Sequence, residues 1–287
     1  MEAANGDRRN RSLVVVLAAA LLAAFAGILL LARGGGPAVD AAQAAARTTT
    51  TIDHFQCYTA KFTPSGAVDA AITLEDQFSA PQAKSHRVGK PKFFCNPAGK
   101  THGTSTFPIL NPNNHLTAYQ LNGKTPRKRL HVLNQFQSAV PDDPPNVITD
   151  KGSRQRPKKP LILVPTAKEG HASPAGLDHF KCYSAERISR SVVDQSVQLT
   201  DQFVPSRGAL VKRVKFLCNP AEKVHDETTV PVTSASTHLV CYTTSRFSIP
   251  TAQRTPRDIS NQFGAREMTA KVANMLCVPS QKFLVGS

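Results

Sequence analysis

The sequence predicts an all-β protein: two tandem, internally duplicated antiparallel β domains, sandwich or barrel-like, behind an N-terminal transmembrane or signal helix. Three observations predict it. A set of motifs recurs four times at nearly equal spacing. Apolar and polar residues alternate with period two inside the repeats, as in half-buried strands. Beyond Ala46 no long apolar stripe of helical period is found.

The N-terminal element comes first. Leu13 to Ala32 is apolar or small throughout and carries no charge. At about 1.5 Å per residue it spans about 30 Å, the thickness of a hydrocarbon core. Arg8, Arg9 and Arg11 precede it and Arg33 follows, which favours a cytoplasmic N-terminus. Residues 1–33 are therefore read as an uncleaved signal-anchor. The alternative is a cleaved signal peptide, with Ala42-Gln43-Ala44 as a small-x-small site. Residues 34–51 form a flexible spacer of small residues. Both readings export the rest of the chain, so the expected location is extracytoplasmic, anchored by one helix or secreted.

The repeats follow. Each opens on a histidine: His54-Phe55-Gln56-Cys57-Tyr58, His115-Leu116-Thr117-Ala118-Tyr119, His179-Phe180-Lys181-Cys182-Tyr183 and His238-Leu239-Val240-Cys241-Tyr242. The starts lie 61, 64 and 59 residues apart, and all 4 tyrosines of the chain sit in this motif. An acid or amide, a glutamine and a phenylalanine come next: Asp76-Gln77-Phe78, Asn134-Gln135-Phe136, Asp201-Gln202-Phe203 and Asn261-Gln262-Phe263. The closing element is Phe94-Cys95-Asn96-Pro97, Leu163-Val164-Pro165, Leu217-Cys218-Asn219-Pro220 or Leu276-Cys277-Val278-Pro279. A lysine stands three residues past each proline: Lys100, Lys168, Lys223 and Lys282. Ordered motifs recurring in step mark an internal repeat.

The second unit lacks both cysteines, with Ala118 in the first place and Val164 read in the second. Pairing between units would then leave orphan thiols elsewhere. The 6 cysteines instead fall evenly into three units, which predicts Cys57–Cys95, Cys182–Cys218 and Cys241–Cys277. Export supplies the oxidising compartment these bonds need. The second unit is expected to rely on packing of Ala118 near Val164.

Ile72 and Leu74, and Val197 and Leu199, alternate with polar neighbours as strands do. One unit of about three strands makes a poor core alone, so two units are read as one domain. The expected domains are 52–170, with units 54–100 and 115–168, and 175–287, with units 179–223 and 238–282. Residues 137–160 read as an exposed insertion, since Pro141, Pro144, Pro145, Pro157 and Pro160 crowd it.

The search for chemistry excludes more than it finds. There is no CxxC, CxxCH, GxSxG, HExxH or phosphate loop. His54, His115, His179 and His238 read as structural residues rather than zinc ligands. Residues i and i+3 of a strand point to opposite faces, and His115 persists where its cysteine is gone. Tyr58, Tyr119, Tyr183 and Tyr242 likewise read as structural, as do Phe78, Phe136, Phe203 and Phe263, while the acid or amide caps a turn. No catalytic residue, metal or cofactor is expected. The chain has 35 Lys+Arg against 20 Asp+Glu, and the part beyond Arg33 keeps a net charge of +13. The best anionic-ligand patch is Arg127, Lys128, Arg129, Arg154, Arg156, Lys158 and Lys159. The expected partners are the membrane, through the N-terminal helix, and an anionic cell-wall or surface polysaccharide. Nucleic acid is not expected, because export puts the chain in the wrong compartment.

The set HFxCY, DQF and CNPxxK, followed by HLxCY, NQF and LCVPSxK, resembles an uncharacterised repeat family of exported bacterial proteins without assigned activity. The resemblance covers about 52–100 and 179–282; Ala118 and Val164 depart from it. It implies bacterial export and the β class, and offers no catalytic residue. The expected role is that of a non-catalytic structural or adhesive module at the bacterial surface. The alternatives are a binder of acidic polysaccharide or cell wall, and an enzyme of unknown class.

Overall fold

The computed structural model describes residues 52–137, 145–149, 159–189 and 192–284. The signal-anchor and spacer, and most of the 137–160 insertion, lie outside the described residues. Among the described residues no helix is long and apolar enough to cross a membrane.

The first unit forms β1 (His54–Thr63), β2 (Ala71–Asp76) and β3 (Lys84–His102), then the short β4 (Ser105–Phe107). The second forms β5 (His115–Leu121), β6 (Arg129–Leu133), β7 (Val147–Thr149) and β8 (Leu161–Lys168). The third forms β9 (Phe180–Arg187), β10 (Gln195–Thr200), β11 (Arg207–His225) and β12 (Thr228–Val230). The fourth forms β13 (His238–Ser248), β14 (Arg257–Asn261) and β15 (Gly264–Leu284). All pairings are antiparallel, as the alternation implies.

The opening and closing strands of the four units build one ring. β1 pairs with β3, β3 with β5, β5 with β8 and β8 with β9. β9 pairs with β11, β11 with β13, β13 with β15, and β15 returns to β1. Closure removes the open edges that an eight-stranded sheet would otherwise carry. This corrects the expected division at 170–175: all described residues belong to one compact unit, Ala46–Ser287. The reason is stoichiometric. Each unit supplies only two wall strands, so neither half can close a barrel.

Alternate residues of all eight wall strands meet inside. Phe55, Leu116, Phe180 and Leu239 join the six half-cystines, Ala118 and Leu163 in one core. The disulfides are Cys57–Cys95, Cys182–Cys218 and Cys241–Cys277. Each links residues directly opposite on neighbouring strands. The bonds also touch one another: Cys57 Sγ is 3.8 Å from Cys277 Sγ, and Cys218 Sγ is 3.9 Å from Cys241 Sγ. With sequence separations of 36 to 38 residues, each contributes about 3–4 kcal/mol through chain entropy. In the second unit the residue opposite Ala118 is Leu163, not Val164. Aligning on Pro165 and Pro279 gives the same answer, because Leu163 then matches Cys277. The one-residue slip matters, since it turns a side chain to the other face. Val164 packs outside the ring with Tyr119 and Ile162.

The middle strands and the N-terminal parts of the closing strands form arms outside the barrel. Ile72, Leu74 and Val88 of the first arm cover Tyr119, Leu121, Ile162 and Val164 of the second unit. Val197, Leu199 and Val211 cover Val240, Tyr242 and Leu276 of the fourth unit, and Ile259 and Met268 cover Tyr58 and Phe94 of the first. Each middle strand then pairs with the closing strand of the unit opposite: β2 with β11, β10 with β3, β14 with β8 and β6 with β15. Gly99 permits one such approach, since a Cβ there would stand 2.5 Å from Thr200 Oγ1. The 137–160 segment is also not wholly an exposed loop. Val147, Ile148 and Thr149 are buried, and β7 pairs with both β6 and β9.

The register makes a prediction. The double variant Ala118→Cys/Leu163→Cys should form a fourth disulfide and raise the unfolding free energy by about 3 kcal/mol. Ala118→Cys/Val164→Cys should keep two free thiols. Thiol titration and urea unfolding check both variants, and a bond in the second rather than the first would refute this register.

Candidate functional site

The repeat motifs converge on four polar clamps. The turn at the end of each middle strand reaches two other units. Its acid or amide meets the tyrosine of the opposite unit. Tyr58 OH donates to Asp201 Oδ2 at 2.7 Å, and Tyr183 OH donates to Asp76 Oδ1 at 2.9 Å. Asn261 Nδ2 donates to Tyr119 OH at 3.0 Å, and Asn134 Nδ2 to Tyr242 OH at 3.0 Å. The same side chains cap their own turns, with Phe136, Phe203 and Phe263 N–H groups donating to Asn134, Asp201 and Asn261 Oδ1. The phenylalanine packs on the same tyrosine, at 5.0 to 5.2 Å between ring centroids in the four units. The glutamine turns to the preceding unit. Gln135 bonds His54 at 3.0 Å, Gln262 Nε2 bonds His179 Nε2 at 2.8 Å, and Lys168 Nζ donates to Gln202.

Asp appears where the facing strand offers extra donors. Gln56 Nε2 donates to Asp201 at 2.7 Å, while Asn219 Nδ2 donates to Asp76 at 2.8 Å and Lys181 Nζ lies 3.7 Å from it. Burial raises the Asp201 carboxyl above its usual range, against the opposing pull of Tyr58 and two backbone N–H groups. Burial, then the neighbouring carboxylate, raises the Tyr58 and Tyr183 hydroxyls.

The four lysines and four histidines of the repeat are buried beside these clamps. Burial lowers Lys100 and Lys282 to about 7, and Lys168 to about 8 with Arg257 adding to the effect. Burial also lowers His115 and His238 to about 3 and His179 to about 4. Lys100 Nζ lies 4.2 Å from the centre of the Phe107 ring, and Lys282 Nζ 4.5 Å from that of Phe78. These lysines are 2 to 8 % exposed, and Lys168 borders a cleft. Among the described residues no group of three or more His, Cys, Asp or Glu is placed to hold a metal.

An exposed basic surface lies where the ladders within the units end. Inside every unit the unbroken ladder between opening and closing strand ends at the same level. The last pairs are Thr59 with Phe93, Gln120 with Leu161, Ser184 with Phe216 and Thr243 with Met275. One to four residues before these closing-strand residues stand Lys90 and Lys92, Lys159, Lys212, Arg213 and Lys215, and Lys271. All but Lys215 are exposed. Lys215 lies over Phe93 of the opposite unit, 4.9 Å from its ring centre. Arg246, exposed, stands three residues past Thr243 on β13. Nearby, Asp69 pairs with Arg87 at 2.7 Å.

Of the basic patch read from sequence, Lys159 belongs to this rim. Arg127, Lys128 and Arg129 are exposed on the second arm, where Arg129 pairs with Ile148 and Ile148 with Glu186 of β9. Arg154, Arg156 and Lys158 lie outside the described residues. The rim is not legible as a motif, because its basic residues are spread over all four repeats at five to eight residues before the closing proline. A cleft of about 610 Å³ opens at Lys168 and is lined also by Thr63, His171, Asp258, Arg266 and Glu267 among others.

A family model described as a repeat of unknown function, DUF7450, matches residues 37–140 and 154–279. The chain belongs to the DUF7450 repeat family. Each matched segment carries two of the four histidine motifs. No curated protein and no solved structure matches the chain. The three disulfides mark an extracytoplasmic member of the family.

The buried amines set a pH dependence. Their proton affinity is lower in the folded chain than in the unfolded one, so unfolding takes up protons between about pH 7 and 10. The cost is fully present below the folded value and is relieved as pH rises. The urea midpoint should therefore rise from pH 7 to pH 9, and Lys100→Met should flatten the slope. A midpoint that falls over this window would contradict the reading.

Proposed function

We propose that this chain is a non-catalytic, exported β-repeat module with a structural or adhesive role at the bacterial cell surface. The helix read at 13–32 holds it to the membrane, and the basic rim meets an anionic wall or surface polysaccharide. One observation carries the reading: within four residues upstream of the last ladder pair, the closing segment of every repeat carries at least one lysine, which places cations at the same end of all four units. Clustered cations at the same level attract a polyanion at longer range than the same charges scattered singly. The rim is rigid because closed wall strands carry it, so little ordering is needed on contact. Lys100 and Lys223 are buried, which weighs against their acting on a dissolved substrate.

The test compares two triple variants of equal charge on a heparin column and on an acidic polysaccharide. Lys90→Gln/Lys92→Gln/Lys212→Gln should elute at clearly lower salt than Arg127→Gln/Lys128→Gln/Arg129→Gln, because the latter residues lie off the rim. Equal elution of the two variants would show that net charge, not the rim, sets the interaction.

A further inference from the structure

Asn219, Lys282 and Asp76 come from three different units and meet in one closed site. Lys282 Nζ lies 2.6 Å from Asn219 Oδ1, and Asn219 Nδ2 donates to Asp76 Oδ2 at 2.8 Å. Asn219 is fully buried, Asp76 is 4 % exposed and Lys282 is 8 % exposed. The Phe78 ring covers the amine. Burial weakens a lysine's hold on its proton and so favours the free amine, which is the nucleophilic form. Burial lowers Lys282 to about 7, with Asp76 opposing. An amine, a primary amide and a carboxyl at the leaving nitrogen make a complete set for amide exchange.

The repeats supply an independent observation. Asparagine occupies the place after the closing cysteine in the first and third units, as Asn96 and Asn219. The second and fourth units have Val164 and Val278 there. The acid of the facing turn changes in step. Asp201 faces the Asn96 unit and Asp76 the Asn219 unit, whereas Asn261 and Asn134 face the valine units. So the amide and the carboxyl occur together and are absent together, while the lysine is present throughout. At the first-unit site the amine is turned away: Lys168 donates to Gln202, and neither polar atom of the Asn96 amide has a partner. Only the Asn219 site is assembled.

We propose that Lys282 and Asn219 form an intramolecular isopeptide bond that ties β15 to β11. Lys282 Nζ adds to Asn219 Cγ, the Cγ–Nδ2 bond breaks, and one ammonia leaves. Asp76, within hydrogen-bond reach of the leaving nitrogen, relays to it the proton given up by Nζ. No oxidant or cofactor is needed. A cleft of about 360 Å³ lined by Asp76, Pro220 and His238 among others opens beside the group and gives the ammonia a way out. The product replaces a buried amine and amide with a neutral secondary amide, and it closes the chain near its C-terminal strand.

The experiment is the intact mass of the exported protein after full reduction and denaturation. The expected mass is about 17 Da below that of the reduced sequence, and proteolysis should yield one branched peptide joining Lys282 to Asn219. Lys282→Arg and Asp76→Ala should each restore the full mass. Asn219→Asp should instead lose water, about 18 Da. The wild-type measurement stands whether or not a variant folds. Full mass in a protein whose three disulfides are intact would overturn the proposal, as would a deficit mapped to any other residues.

Discussion

The tyrosine hydroxyl bonded to the acid or amide of the opposite repeat is the contact on which the rest of this structure depends. Burying a phenol and a carboxylate separately costs several kcal/mol, and each is tolerated here because the other satisfies it. Tyr58 and Asp201 are 143 residues apart, and Tyr183 and Asp76 are 107 apart. Those separations set the topology. An arm must leave its own barrel wall, cross the next unit and end on the one beyond. The apolar residues of β2, β6, β10 and β14 follow from that path, since each faces the outer wall it crosses. Removing one hydroxyl would leave a buried acceptor short of a donor, a cost of about 1–3 kcal/mol.

The disulfides do different work. They join strands already adjacent within a unit, so they stiffen the wall without connecting one unit to another. The second unit shows that the wall closes without a bond, because Ala118 and Leu163 occupy the same interior level as the cysteines. The closed ring and the crossing arms instead carry the connection between units, which is why the four repeats form one body.

Much of this was legible in the sequence, and what was not has a physical reason. The strands, the repeat and the disulfide pairing follow from spacing and alternation, which are local signals. The partner of Asp76 is not local. Nothing in the order Asp-Gln-Phe says that it binds a tyrosine two units away, although the confinement of all tyrosines to one motif hinted at a shared task. Two units looked sufficient for a domain because strand count, unlike ring closure, ignores where edges end. Leu163-Val164 resembles the Leu-Cys of the other units and points to Val164 as the partner of Ala118, whereas alignment on Pro165 points to Leu163, the residue that pairs with it. The basic rim stayed hidden because its charges are distributed over four repeats, while Arg127, Lys128 and Arg129 are contiguous and so more conspicuous.

The central claim, that each arm stabilises the unit opposite, is tested most directly by amide hydrogen exchange on Asp201→Ala. The account predicts loss of protection in His54–Thr63, whose Tyr58 loses its partner, alongside the change in the mutated turn itself. Loss confined to residues near 195–207, with His54–Thr63 as protected as before, would contradict it.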